Sequence, residues 1–275
     1  MTRARTYLLT AIAAGLFALL SGVFADGLFT QHWWDAANVT NSAIFTYVLL
    51  ALIIAAGIAQ ARRVPPEGVS TAFGAVTTTA GQTEDPRFWR LLTGNVYWAL
   101  LWLPLRFFVG REWLAAGEEK LRASAWMGGG SALKGYWQSV TAVPAGGHPA
   151  ITYSWYRTLL AFMLRHEWYT WFAKLVAGGE FLVGLALLVG ALVGVAAFLG
   201  TVMNFAYELA GSASSNPVLF GLSVFLILGW KVAGYWGLDR LLLPALGAPW
   251  QVGRLFGGEG IRQPGPPGVE PDAPV

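Results

Sequence analysis

The chain has 275 residues, of which 55% are hydrophobic and 12% are charged, and its mean hydropathy is +0.51. Soluble domains carry about 25% charged residues, so this composition excludes an ordinary soluble enzyme, a disordered chain and a nucleic-acid-binding module. The formal net charge of +3 is too small for a phosphate-binding surface. The sequence has no cysteine, which excludes disulfides and cysteine-ligated metals, and its three histidines leave little room for a histidine metal site. We therefore predict no metal.

Six apolar runs are long enough to cross the hydrocarbon core of a bilayer, which takes about 20 residues. They cover residues 7–24, 43–60, 96–117, 169–190, 192–210 and 218–237. The fourth and fifth runs are continuous, and we place their boundary near Gly190, where a glycine-rich turn can form. An alternative for the first run is a signal peptide cleaved after Ala25. The sequence thus predicts an all-α polytopic membrane protein with six transmembrane helices.

The positions of arginine and lysine indicate how these spans are oriented. Arg3 and Arg5 precede the first span, and the 61–95 loop holds four further arginines, whereas residues 25–42 contain no Lys or Arg. Because cytoplasmic loops are enriched in Lys and Arg, we predict a multi-pass protein of the plasma membrane with both termini in the cytoplasm. The 118–168 loop then lies outside although it carries five basic residues, since long loops translocate largely regardless of charge.

The chain divides into four predicted parts. Residues 1–63 form an N-terminal two-helix membrane extension, 64–94 a cytoplasmic linker, 95–246 a four-helix membrane core, and 247–275 a disordered Pro- and Gly-rich tail. Within the core, residues 118–168 are rich in Trp and Tyr, and their second half alternates apolar and polar residues at near-helical spacing. We predict short amphipathic helices at the outer interface. The alternative is an aromatic belt that only anchors the protein at its depth.

Polar side chains inside the predicted spans are the candidate functional residues, because a charge at the bilayer centre costs about 2.5–3.5 kcal/mol and normally pairs or serves a purpose. Arg106, Glu180 and Asn204 each lie in a stripe of residues that recur at helical spacing. The three stripes are Arg106, Gly110, Trp113, Gly117 and Lys120; Ala173, Ala177, Glu180 and Gly184; and Gly194, Ala197, Thr201, Asn204 and Glu208. Small residues let membrane helices approach closely, so we expect the three stripes to converge and bring these side chains together. The alternative is a structural Arg106–Glu180 ion pair. Asp239 and Arg240, after the sixth span, are interpreted as a capping ion pair.

Four segments of the core carry a family resemblance. They are residues 106–121 (RFFVGREWLAAGEEKL), 171–190 (WFAKLVAGGEFLVGLALLVG), 204–217 (NFAYELAGSASSNP) and 234–240 (GYWGLDR). In this order they resemble the first helix, second helix, third helix and ending of the DoxX/DoxD family, over about residues 95–246. The resemblance implies a DoxX-like four-helix bundle. The family's best-known members are subunits of thiosulfate:quinone oxidoreductase, which oxidises thiosulfate to tetrathionate and passes the electrons to quinone. The N-terminal helix pair departs from that pattern and leaves the subunit composition open.

The first functional hypothesis is a quinone-linked oxidoreductase or its membrane subunit. Its expected catalytic residues are Arg106, Glu180 and Lys120, with Arg106 donating a hydrogen bond to quinone and Glu180 relaying protons. The expected quinone ligands are Arg106, Trp113, Glu180 and Asn204. Thiosulfate is a dianion, and the cations expected to hold it near the outer face are Arg111, Lys120 and Arg122.

Quinone is the expected electron acceptor. The expected partners are membrane lipid, quinone, and either a second oxidoreductase subunit or a second copy of the chain, with no nucleic acid. The second hypothesis is a non-catalytic membrane scaffold or assembly partner of a redox system. A third, a proton-coupled transporter, lacks the inverted repeat or broken helix pair that would support it.

Overall fold

The structure is a computed structural model that describes residues 1–25, 33–71, 85–145 and 147–248. These residues are all-helical and contain no β-strand. The helices in chain order are α1 (Arg3–Phe24), α2 (Ala43–Arg63), α3 (Arg87–Gly94), α4 (Leu103–Arg122), α5 (Ser124–Met127), α6 (Ser131–Thr141), α7 (Ser154–Arg165), α8 (Tyr169–Val189), α9 (Val193–Leu209), α10 (Asn216–Leu228), α11 (Trp230–Ala233) and α12 (Asp239–Leu246). The 3-10 turns Val39–Asn41 and Val96–Trp102 precede α2 and α4.

Three of these helices, α1, α2 and α8, are long and apolar enough to cross a membrane. The helices α9 and α10 are apolar but shorter, with 17 and 13 residues. Helix α4 has 20 residues, of which seven are charged. Length and composition therefore indicate a membrane protein with three candidate spanning helices.

The boundary predicted near Gly190 is confirmed. Helix α8 ends at Val189, Gly190 adopts a left-handed conformation with φ 69°, and α9 begins at Val193. Asp239 then caps α9, because its carboxylate oxygens accept hydrogen bonds from the backbone N–H groups of Leu192 and Val193 at 2.5 and 2.9 Å. The predicted Asp239–Arg240 ion pair is therefore wrong, because the Asp239 carboxylate is bound to the backbone at the start of α9. The expected partner Arg240 instead has its guanidinium 5.7 Å from the ring of Tyr235.

Three predicted segments have different bounds in the structure. The run 96–117 divides into the 3-10 turn and α4, which continues to Arg122. The run 218–237 is broken at Gly229, which lies so close to Trp102 that a Cβ atom there would be 2.4 Å from the indole ring. The linker 64–94 contains α3, whose Leu92 carbonyl accepts a hydrogen bond from Trp102 at 2.8 Å. Of the predicted disordered tail, all but the first two residues lie outside the described part of the chain.

The small-residue faces of α4 and α8 pack directly against each other. A Cβ atom at Gly117 would lie 2.4 Å from the backbone nitrogen of Phe181, and one at Gly184 would lie 2.3 Å from that of Leu114. Only glycine allows two backbones to approach this closely. The close approach predicted from the α4 and α8 stripes is therefore confirmed.

The N-terminal helix pair shares one hydrophobic core with the rest of the bundle. Phe17 of α1 and Ile53 of α2 belong to the same cluster of buried side chains as Phe108 of α4, Leu187 of α8 and Leu226 of α10. A second cluster joins α6 and α7 to the start of α8, through side chains that include Trp137, Leu160, Met163 and Ala173. The 118–168 segment thus contains three short helices, two of which bury an apolar face against the bundle.

Candidate functional site

A polar cavity of about 450 Å³ lies beside the C-terminal half of α4, where α4, α8 and α9 meet. Its charged lining residues are Glu112, Glu119, Lys120 and Glu180, and its aromatic and hydroxyl lining includes Trp113, Trp126, Tyr136, Tyr207, Ser212, Ser214 and Ser215. Burial raises the pKa of the Tyr136 phenol, so this group is neutral at pH 7. We refer to this space as the polar cavity.

Three of its side chains form one hydrogen-bonded chain. Glu180 is 1% exposed, and its Oε2 accepts from Lys120 Nζ at 2.6 Å while its Oε1 accepts from Tyr207 Oη at 2.6 Å. The side chain of Lys120 is 19% exposed, and its Nζ lies 5.2 Å from the ring centroid of Trp126. A buried carboxylate is tolerated when its oxygens are bound in this way, because the bonds offset the loss of hydration. The Lys120–Glu180–Tyr207 chain therefore ties α4, α8 and α9 together at the cavity.

The structure does not bring Arg106 to Glu180, so the expected convergence and the alternative Arg106–Glu180 ion pair are both wrong. Arg106 donates hydrogen bonds to the carbonyls of Ala233 and Trp236, at 3.1 and 2.9 Å. Its guanidinium also lies against Gly190, which is ten residues, or about 15 Å, further along α8 than Glu180. The cause is the axial shift between the antiparallel helices α4 and α8, which brings Lys120 and not Arg106 to Glu180.

The other two expected quinone ligands have different surroundings. Trp113 lines the polar cavity and is 3% exposed, and its Nε1 has no partner among the described residues. That nitrogen lies 2.9 Å from where a Cβ atom at Gly200 would be. Asn204, one helical turn further along α9, is fully buried, and neither of its amide atoms has a partner in the described chain. Of the four expected ligands, Trp113 and Glu180 line the cavity, whereas Asn204 and Arg106 do not.

The three cations expected to hold thiosulfate are not gathered into one cluster. Arg111 pairs with Glu112 at 2.6 Å, Lys120 with Glu180 at 2.6 Å, and Arg122 with Glu118 at 2.7 Å. Only Lys120 lines the polar cavity, where it faces three carboxylates. Each expected cation is thus matched by a carboxylate partner of its own.

Tyr207 is the site residue that the sequence reasoning missed. It lies three residues after Asn204, next to the stripe of residues predicted for this span. It is also the only tyrosine in the 192–210 run. A buried tyrosine hydroxyl normally finds a hydrogen-bond partner, so a single tyrosine in an apolar span was a usable signal.

Among the described residues, no group of three or more His, Cys, Asp and Glu side chains is arranged to hold a metal ion. No family model, curated protein or solved structure matches the chain.

Proposed function

We propose that the chain is a quinone-linked membrane oxidoreductase, or the membrane subunit of one, that reduces a quinone in the polar cavity. The observation that carries this proposal is the Lys120–Glu180–Tyr207 chain, which lines a cavity of about 450 Å³ where α4, α8 and α9 meet. We also propose that the core is the DoxX-like four-helix bundle of a six-span plasma-membrane protein with cytoplasmic termini. In that arrangement the six spans are α1, α2, α4, α8, α9 and the α10–α11 pair, of which α1, α2 and α8 are the three candidate spanning helices described above.

The donors and the walls of the cavity suit a quinone ring. A quinone is flat and apolar and has two carbonyl acceptors, and the ammonium of Lys120, which donates one of its three N–H groups to Glu180, keeps two N–H donors for a ring carbonyl. The rings of Trp113 and Trp126 provide aromatic walls. The volume lies in the range of about 300–1,000 Å³ that is usual for small-molecule sites. Glu180 holds Lys120 in position by accepting from its ammonium, and it also accepts the single O–H of Tyr207.

The same chain of residues provides a route for protons. Reduction of one quinone to quinol takes up two electrons and two protons, and oxidation of two thiosulfate anions to one tetrathionate releases two electrons. Lys120 is placed to donate a proton toward a bound carbonyl, and Glu180 connects it to the hydroxyl of Tyr207. Lys120 is the partly exposed member of the chain and is placed to exchange protons with water.

The charge of the cavity argues that thiosulfate is oxidised elsewhere. Glu112, Glu119 and Glu180 line the cavity with one ammonium, that of Lys120. Arg111 pairs with Glu112, which leaves one net negative charge at the cavity, and this charge opposes entry of a dianion. A neutral quinone meets no such opposition. We therefore place quinone reduction in this chain and thiosulfate oxidation on a partner subunit.

The test uses the purified chain in lipid nanodiscs with a short-chain oxidised quinone. Quinones quench tryptophan fluorescence, and Trp113 and Trp126 line the cavity, so binding is measured as saturable quenching. We expect Glu180→Gln and Tyr207→Phe to weaken binding at least tenfold. Glu208→Gln is the matched control, because Glu208 follows Tyr207 on α9 but does not line the cavity.

Turnover is measured in the same nanodiscs as thiosulfate-dependent quinol formation. Saturable binding without turnover indicates a membrane subunit whose partner carries the electrons. An absence of saturable binding by a folded protein would refute the proposal. It would favour the scaffold hypothesis, in which the Lys120–Glu180 pair only fastens α4 to α8.

A further inference from the structure

A second cavity, of about 370 Å³, lies between the short helices α6 and α7 and the longer helices α8 and α9. Its walls are mainly aromatic and aliphatic and include Trp137, Leu160, Phe172, Val176 and Met203. We refer to it as the apolar cavity. Well-packed protein interiors hold few voids larger than a water molecule, so a space of this size calls for an occupant.

The apolar cavity adjoins the polar one. Leu133, Tyr136 and Tyr207 line both spaces. The Tyr207 hydroxyl is bound to Glu180 of the polar cavity, while the residue also forms part of the apolar wall. The two cavities therefore meet at the tyrosine that the proposed function places beside the quinone ring.

The apolar cavity has little to offer a polar ligand. The hydroxyl of Tyr156 donates to the carbonyl of Ala206 at 2.9 Å, so this side chain presents its ring to the space. The hydroxyl of Tyr136, which also lines the polar cavity, has no hydrogen-bond partner among the described residues. A cavity whose walls are mainly apolar stays free of water and accepts apolar groups. Its occupant is therefore hydrocarbon.

We propose that the apolar cavity holds one alkyl or isoprenoid chain of an amphiphile whose polar head lies in the polar cavity. This inference rests on the proposed function for its choice of the head-group site. The chain is either the tail of the quinone itself or an acyl chain of a membrane lipid, since the two present the same chemistry to these walls. The helices α6 and α7 then act as the outer cover of the chain site.

The test is photo-crosslinking in lipid nanodiscs, using a quinone that carries a diazirine in a long alkyl chain. In the wild-type protein we expect crosslinks on cavity residues such as Leu160 and Met203, mapped by mass spectrometry. Val176→Phe and Leu160→Trp fill the cavity from opposite walls, and each is expected to lower this labelling at least tenfold. Leu175→Phe is the matched control, because Leu175 neighbours Val176 on α8 but is 58% exposed.

Two further probes identify the source of the chain. Loss of labelling on addition of excess unlabelled long-chain quinone assigns the site to the quinone tail. Cavity labelling by a diazirine phospholipid that long-chain quinone does not displace assigns it to a lipid acyl chain. Either result supports the chain site.

Crosslinks confined to outward-facing residues such as Leu175 and Leu182, unchanged in the filling variants, would overturn the inference. Measuring the binding of a short-chain quinone shows whether the chain site or the proposed function is wrong. If the short-chain quinone binds but the cavity is not labelled, the chain site is wrong and the proposed function stands. If the cavity is labelled but no quinone binds in the polar cavity, the proposed function is wrong and the chain site stands.

Discussion

Gly184→Ala is expected to force α4 and α8 apart. A Cβ atom at Gly184 would lie 2.3 Å from the nitrogen and 2.6 Å from the Cα of Leu114, whereas ordinary contact begins at 3.4 Å. Both obstructing atoms belong to the backbone, so no side-chain rotation relieves the clash and the helices must separate by about 1 Å. Overpacking of this kind costs about 3 kcal/mol at the upper end of its range. The higher helix propensity of alanine offsets about 1 kcal/mol of this cost, so the free energy of unfolding is expected to fall by about 2 kcal/mol.

The matched control for this prediction is Gly178→Ala. Gly178 lies on the same helix, and a Cβ atom there meets nothing within 4 Å, so only the gain in helix propensity remains. Unfolding of both variants is measured by denaturant titration in mixed micelles. We also expect Gly184→Ala to weaken quinone binding, because the Lys120–Glu180 bond joins the two separated helices. Equal stability of the two alanine variants would refute the close-packing argument.

Three other predictions follow from the polar contacts and the topology. Lys120→Met is expected to destabilise the fold by about 3–5 kcal/mol, because it leaves the buried Glu180 without its cation, and adding Glu180→Met should restore most of that stability in a double-mutant cycle. Asp239→Ala should cost about 1–2 kcal/mol in thermal unfolding through loss of the α9 cap, whereas Asp239→Asn should cost less because it keeps an acceptor. Cysteine at the exposed Ser139 should react with an impermeant thiol reagent outside intact cells, and labelling only after permeabilisation would invert the proposed orientation.

The sequence predicted which faces of the helices pack together better than it predicted how far neighbouring helices are shifted along their axes. Helical spacing put Gly110, Gly117 and Lys120 on one side of α4 and Ala177, Glu180 and Gly184 on one side of α8, and these faces do pack together. Spacing within one helix carries no information about how far the neighbouring helix is shifted along its axis. That shift is set by side-chain packing between the helices. It decided that Glu180 meets Lys120 and that Arg106 does not reach it.

The break in the last predicted span had the same kind of cause. The run 218–237 is apolar throughout most of its length, and no proline interrupts it. The helix ends at Leu228, and the next residue, Gly229, packs against the indole of Trp102, a residue more than 120 positions away in the sequence. Hydropathy reports how a segment partitions into a membrane and does not report which distant side chain lies against it. Tyr207 was missed for a related reason, since only the fold places it beside Glu180.

The hydrogen bonds of Arg106 have a consequence for the order in which the chain assembles. Its two carbonyl partners, Ala233 and Trp236, lie 127 and 130 residues further along the chain. A ribosome therefore completes α4 long before the groups that bind its buried guanidinium exist. Helix α4, with seven charged residues, is poorly suited to enter a bilayer alone during that interval. The contacts that hold Arg106 therefore form only after residues 233–236 have been synthesised, so α4 reaches its final packing late in the assembly of the chain.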